Sequence, residues 1–163
     1  MLRLSKKADY ALISMKHLAL RGDGSSSARE IAGLYDIPIE LLAKILQRLV
    51  RRGLLVSQQG TRGGYQLART PALISVADVI QAIDGPVTVT ACSSEEGTTC
   101  EQFSKCNVRD PLWRVRERIL SALGECTIAE LAADQPAAPE PAGQTMVLHT
   151  HVGRDIERIG DRG

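Results

Sequence analysis

The sequence predicts a mainly α fold with one small β-hairpin, arranged as a winged helix-turn-helix followed by a long dimerisation helix. Three observations predict it. Apolar residues recur at helical spacing through several separate segments. Two short β-type runs, LLVSQ and YQLA, flank the glycine-rich stretch GTRGG. Aromatic residues make up 3% of the 163-residue chain, so its core must come from Leu, Ile, Val and Ala, as in small helical proteins.

In chain order, Ala8, Ala11, Leu12, Met15 and Ala19 fall on one face and predict a first helix from about Lys6 to Arg21, ending before Gly22. The DGSSS run is its loop. Ser27 and Glu30 have the spacing of a capping box, in which each side chain satisfies the other's backbone N–H, and they open a short helix to about Leu34. After the tight turn YDIP, Pro38 suits the first position of a third helix that runs to Arg52, with Gly53 as its stop. Leu42, Ile45, Leu46 and Leu49 make its apolar stripe; Glu40, Lys44, Gln47, Arg48 and Arg51 make its polar one. The hairpin follows, so helix, turn, helix and wing occur in order.

Ser75 and Asp78 cap a further helix through Ile83, Ile74 can staple onto Val79, and Gly85 and Pro86 mark the end. Residues 87–109 lack apolar periodicity, hold Cys92, Cys100 and Cys106, and read as a loop long enough to carry a function. Asp110 is placed to cap the next helix, with Pro111 at its first position. Leu112, Val115, Ile119, Leu120 and Leu123 line one side before Gly124, so this reads as an intersubunit helix. Thr127 and Glu130 cap a last short helix, and QPAAPEPAGQ is a linker into a polar tail. The expected division is a winged helix-turn-helix at 1–86, a cysteine loop at 87–109, a dimerisation helix and short helix at 110–134, and a disordered tail at 135–163.

Charge is uneven along the chain. Residues 1–70 carry 12 Lys and Arg against 5 Asp and Glu, a net +7; residues 71–163 carry 8 against 14, a net −6. The basic half is the candidate for contact with a polyanion. No run of eighteen apolar residues and no signal-peptide pattern occurs at the N-terminus, so a cytoplasmic protein without a membrane segment is expected. In that reducing setting, clustered cysteines suggest metal or redox chemistry more than a disulfide framework. No Ser-His-Asp set, phosphate-binding glycine loop or paired carboxylate site emerges, and the expectation is a non-enzyme.

In a helix-turn-helix the second helix enters the major groove by its N-terminal end, which makes Glu40, Ala43 and Lys44 the candidates for base edges. Glutamate can accept from cytosine N4, lysine can donate to guanine, and alanine can touch a thymine methyl. Arg62 at the wing tip is placed for a minor groove or a phosphate; Lys6, Lys7, Arg48 and Arg51 would serve phosphates where they face DNA. Each of these charges also has a plain reading as a solvated face, and Arg51 and Arg52 suit a helix C-terminus on dipole grounds alone. Trp113, Ile119 and Leu120 are candidates for a dimer core.

Three thiolates on a loop can bind one iron-sulfur cluster and leave a site for a weaker ligand. Spacing alone also leaves structural zinc or a disulfide switch open, although the paired spacing usual for zinc is absent. Cys126, just before the Thr127 cap, reads as a packing residue that can staple onto Leu131. His149 and His151 fall in the expected tail.

The start RLSKKADYAL, the wing GTRGGYQL, the segment ISVADVI and the cysteine loop ACSSEEGTTCEQFSKCNVR together resemble the IscR/NsrR/RirA-type family of bacterial iron-sulfur regulators, over about Met1 to Ala133. The loop, followed by a Trp-bearing helix, looks most like the regulators of SUF cluster assembly. The resemblance implies a homodimer on palindromic double-stranded DNA, a long helix crossing the partner, and a [2Fe-2S] or [4Fe-4S] cluster on Cys92, Cys100 and Cys106. In IscR-type members a histidine three residues after the third cysteine completes the shell; Arg109 stands there in this chain. In NsrR-type members an aspartate from the partner subunit does so, and Asp9 falls at the matching place, although it reads equally as a solvated first-turn residue. The spacing of the three cysteines resembles the RirA-type arrangement. The function implied is a cluster-dependent transcription regulator, a repressor, of iron-sulfur assembly or iron homeostasis genes. A cluster-carrying redox or cluster-transfer protein is the alternative from another class, and the +7 half argues against it.

Overall fold

The computed structural model describes residues 4–60, 63–88 and 101–134. Among these, six α-helices surround one two-stranded antiparallel hairpin: α1 Lys6–Leu20, α2 Ala28–Leu34, α3 Ile39–Arg51, β1 Leu55–Gln58, β2 Gly64–Leu67, α4 Val76–Asp84, α5 Arg109–Glu125 and α6 Ile128–Ala133. A 3-10 turn at Pro71–Leu73 leads into α4. This is the expected winged helix-turn-helix with a long helix after it.

The core is aliphatic, as the scarcity of aromatics requires. Ala11, Met15 and Leu18 of α1, Ile31 of α2, Leu42, Leu46 and Leu49 of α3, and Val79 and Ile83 of α4 are buried together. Ile74 joins them beside Val79, where a staple was expected. α1 is central and packs against α3, α4 and α6. Every buried side-chain nitrogen or oxygen among the described residues has a hydrogen-bond partner, as a well-formed interior demands.

Local chemistry explains most boundaries. Ser5, unassigned in the sequence reading, caps α1 by accepting the Ala8 N–H. The boxes Ser75/Asp78 and Thr127/Glu130 are both reciprocal. The Ser27/Glu30 box is half formed: Ser27 Oγ accepts the Glu30 N–H, but the Glu30 carboxylate pairs with Arg21 instead. Pro38 is the residue before α3, not its first position, and Gly53 closes the helix in the left-handed region at φ +70°.

The long helix departs from expectation at both ends. It begins at Arg109, and Asp110 lies inside its first turn without capping it, because the carboxylate accepts from Arg109 Nε at 2.8 Å. Pro111 is therefore at the third position, still within the turn whose N–H groups lack helical partners. Nor does Gly124 end it: α5 runs on to Glu125, and the Cys126 N–H still bonds Ala122 C=O at 3.2 Å. Two backbone bonds then fix the junction to the start of α4, Val76 N to Cys126 O at 2.8 Å and Ile128 N to Ile74 O at 2.9 Å.

Candidate nucleic-acid interface and cysteine site

α3 presents the expected stripe. Glu40, Lys44, Gln47 and Arg51 are exposed and Ala43 is half-buried, while Leu42, Ile45, Leu46 and Leu49 face the core. At 3.6 residues per turn the five outward positions fall within roughly 100° of the helix circumference. Arg48 lies on the flank of that stripe, and its Nε donates to Ala82 C=O at 2.9 Å, tying α3 to the last turn of α4. Beside it opens a hollow of about 620 Å³ between the start of α1 and α3. Lys7, Lys44, Arg48, Arg51 and Arg52 line it over a floor of Leu41, Ile45 and Ile83, with no acid among the lining residues. A concave, one-sign surface focuses potential toward a polyanion. Arg52 carried no signal for this in the sequence, where a cation at a helix C-terminus already has a dipole explanation.

The wing is held close to the body of the domain. β1 and β2 pair from Leu55↔Leu67 to Gln58↔Gly64, and Ser26 bridges Tyr65 through backbone bonds of 3.1 and 2.9 Å. A Cβ at Gly64 would stand 2.7 Å from Ser26 O, and one at Gly63 would stand 2.6 Å from Gln58 O, so both positions need glycine for close approach. Arg62, the expected wing-tip contact, lies outside the described residues.

Ser26 also anchors a chain of polar contacts between α1 and the α2 segment. His17, buried on α1, has Nε2 3.1 Å from Ser26 Oγ and Nδ1 3.2 Å from the Tyr35 hydroxyl. Arg21 Nε donates to the same Ser26 oxygen at 3.1 Å, and its other end pairs with Glu30. Burial, with the Arg21 charge added, holds the His17 pKa below its ordinary 6.5. Ser26 thus joins α1 through its hydroxyl and the wing through its backbone, while His17 and Arg21 carry the chain on to Tyr35 and Glu30 of the α2 segment; nothing in the sequence pattern singled this residue out.

Of the three clustered cysteines, Cys92 and Cys100 lie outside the described residues. Cys106 is half-buried with a free thiol. It sits midway along a short loop closed by Arg109, whose guanidinium carbon is 4.8 Å from the Phe103 ring centroid and whose NH1 reaches Phe103 O at 3.5 Å. The Arg109 hydrogen bond and charge hold the Asp110 carboxyl below the usual carboxylate range. Asp9 is exposed on the first turn of α1. Among the described residues no three His, Cys, Asp or Glu side chains gather into a metal-competent group. Cys126, also a free thiol, is half-buried at the junction of α5 with α6, the packing position expected of it.

α5 has no fully buried residue. Trp113 is 47% exposed and Val115 44%, while Leu112, Ile119, Leu120 and Leu123 are half-covered. Arg116 Nε donates to Val87 O at 3.3 Å, linking α5 to the segment just past α4. No helix among the described residues is long and apolar enough to cross a membrane.

These features agree with what known proteins share with the chain. Residues 4–134 match the Rrf2 family, described as iron-dependent transcriptional regulators. The HTH-type transcriptional regulator IscR of Yersinia pseudotuberculosis is 36% identical over 136 residues, 82% of this chain and 81% of that protein. Among solved structures, IscR of T. potens is similar at a TM-score of 0.65 and 28% identity, covering 87% of this chain and 94% of that one. CymR, the global cysteine regulator of B. subtilis, is similar at 0.67 and 28%, covering 83% and 100%. The chain is DNA-binding in type, its relatives are transcriptional regulators, and it belongs to the Rrf2 family of transcriptional regulators.

Proposed function

We propose that this chain is an iron-sulfur-dependent repressor of iron-sulfur assembly or iron homeostasis genes, which acts in the cytoplasm as a homodimer on a palindromic operator. The observation that carries the DNA-reading part is the exposed α3 stripe set beside a five-cation hollow. Glu40, Ala43 and Lys44 reach base edges; Lys7, Arg51, Arg52 and, from the wing, Arg62 neutralise phosphates. α5 carries the dimer: a 17-residue helix, about 25 Å long, leaves Trp113 and Val115 open and Ile119 and Leu120 half-covered, which suits the same face of a second copy. A two-fold dimer of this kind reads half-sites about 34 Å apart.

The donor set fits an iron-sulfur cluster in its chemistry. Cys92, Cys100 and Cys106 supply three thiolates, and the Cys106 thiol is free and held at the base of α5. Arg109 cannot be the fourth ligand, since a guanidinium has no lone pair to give and this one is engaged with Phe103 and Asp110. Asp9 from the partner subunit takes that place in this reading, and its exposure on the first turn of α1 leaves it accessible. A cluster bound there would supply a redox- and iron-sensitive state. This chain's own part is to hold the thiolates at one end of α5 and to pass their arrangement to the reading head.

Anaerobic purification with iron and sulfide quantified beside an absorption spectrum, on wild type and Cys92→Ala, tests the cluster. Iron and sulfide together, with a visible band lost in the variant, are expected. Zinc or no metal in a chain that still binds DNA would leave a regulator of the same fold working by a zinc or thiol switch. The thiol form has support in the similarity, at a TM-score of 0.65, to an oxidised form of Staphylococcus aureus CymR.

A further inference from the structure

We infer that Arg48, which the sequence places among the DNA-contacting cations, is a positioning residue that sets the tilt of α3 against α4. The inference rests on the DNA-reading proposal and goes beyond it in assigning this arginine to the protein. Arg48 Nε donates to Ala82 C=O at 2.9 Å, so its guanidinium is directed across the helix interface. The stripe aimed outward is centred on Glu40, Lys44, Gln47 and Arg51, and Arg48 is on its flank, one of the residues that line the hollow.

The place it grips matters. Ala82 belongs to the last turn of α4, and that turn is held from other sides as well. Ser5, the cap of α1, donates its Oγ–H to Asp84 Oδ1 at 2.7 Å and its backbone N–H to Oδ2 at 3.4 Å. Three residues further, Val87 O accepts from Arg116 of α5. The C-terminal turn of α4 is therefore a joint: α1 and α3 are bolted to it directly, and α5 to the segment leaving it. The carbonyls of a helix's last turn lack partners within the helix and accept outside donors readily, and a cation there is further favoured by the dipole. Arg48 is the side chain from the reading helix that uses this acceptor.

A strut and a phosphate contact predict different salt behaviour. Loss of a phosphate contact flattens the log-log salt dependence of binding by about 0.9 and weakens all DNA alike. Loss of a strut leaves the number of neutralised phosphates unchanged but lets α3 sample other tilts, so the selected sequence suffers and random sequence does not. The probe is a duplex that the full-length wild-type chain selects from a randomised pool, compared with an unselected duplex of equal length. Arg48→Met and Arg48→Lys are measured on both, across salt. Lysine keeps the charge but puts a methylene where the Nε–H stands.

For both variants the expected result is about a fivefold loss of affinity for the selected duplex, the scale of one net hydrogen bond. The salt slope and the affinity for the unselected duplex stay as in wild type, and the circular dichroism spectrum is unchanged. A slope flattened by about 0.9 in Arg48→Met and restored in Arg48→Lys, or wild-type affinity in both variants, would overturn the strut. A wild-type chain that enriches no sequence from the pool would instead defeat the DNA-reading proposal on which the strut depends.

Discussion

Replacing Ser26 with alanine removes one oxygen and disconnects α1 from the loop that leads into α2. Ser26 Oγ is the common partner of His17 Nε2 and Arg21 Nε, each at 3.1 Å, and the residue is 1% exposed. Arg21 is partly exposed and can exchange the lost bond for water, so its share of the cost is small. His17 is buried and cannot, and a buried polar group left without its partner costs about 1–3 kcal/mol. The backbone bridge from Ser26 to Tyr65 survives, since it uses no side-chain atom. The expected loss is therefore about 2 kcal/mol, read as a lower urea midpoint with unchanged slope and a melting temperature lowered by roughly 5–10 °C. A Ser26→Ala/His17→Phe double-mutant cycle should show that most of the loss is coupling between the two residues, because the single Ser26 change has no orphan once the imidazole is gone. A loss below about 0.5 kcal/mol, within the range of a neutral surface change, or a cycle with no coupling, would refute this account of what the Ser26 hydroxyl contributes.

The same histidine gives stability a pH dependence. The folded pKa of His17 lies below the unfolded 6.5, so its contribution is complete above that value and is lost as pH falls through it toward the folded pKa. Urea unfolding followed between about pH 5 and 7 should show this decline, and His17→Gln should flatten it. Gly64→Ala drives a Cβ to 2.7 Å from the Ser26 carbonyl oxygen, so the hairpin must move off its bridge; about 1–3 kcal/mol of destabilisation is expected in thermal melts, against near-neutrality for alanine at Gly33, where nothing crowds the new methyl. Leu49→Ala, in the fully buried stripe of α3, should cost about 2–5 kcal/mol in denaturant titrations. Changing Ile119 and Leu120 together to alanine should shift sedimentation toward monomer and weaken DNA binding in step, with the isolated fold intact; a monomer that still binds a palindrome tightly would contradict the α5 dimer.

Where local chemistry has no competitor, the sequence is a good guide. Helix α3 was legible to within a residue because its apolar stripe is unbroken and Gly53 supplies a left-handed stop. The reciprocal boxes at Ser75 and Thr127 were legible for the same reason: the Asp78 and Glu130 carboxylates keep their bonds to the cap N–H groups, as their spacing requires. Glu30 and Asp110 had the right spacing and still did not behave as caps, because Arg21 and Arg109 take their carboxylates. A charge-assisted pair outcompetes a bond to a neutral N–H. The first of those arginines comes from α1, so no local window could reveal it. Gly124 was read as a stop because glycine disfavours helix interiors by about 1 kcal/mol, but the bridge between Ser75 and Thr127 fixes the chain just beyond, and the helix continues to meet it. The candidate site divides the same way. Its outward stripe on α3 follows from periodicity, whereas the involvement of Ser5, Ser26 and Ala82 depends on where separate helices cross.

The two ends of the long helix are held in different ways. Its C-terminal end is fixed: the Cys126 carbonyl and the Ile128 N–H are bonded to the start of α4, and Ile128 is fully buried. At the N-terminal end Arg109 stacks on Phe103, reaches its carbonyl and bonds Asp110, while Cys106 nearby is half-buried and Val108 is 53% exposed. A rod of about 25 Å held firmly at one end turns a small displacement at the other into a change of direction along its length. Midway along it, Arg116 holds the carbonyl of Val87, three residues from the Asp84 carboxylate that Ser5 grips and five from the Ala82 carbonyl that Arg48 grips. Arg116, Ser5 and Arg48 thus tie α5, α1 and α3 to the end of α4 and the segment just after it, each through a hydrogen bond. Ala82 and Ile83 of that same last turn lie in the close-packed aliphatic core, so the polar bonds made there and the apolar packing beneath them fix the crossing of the helices together.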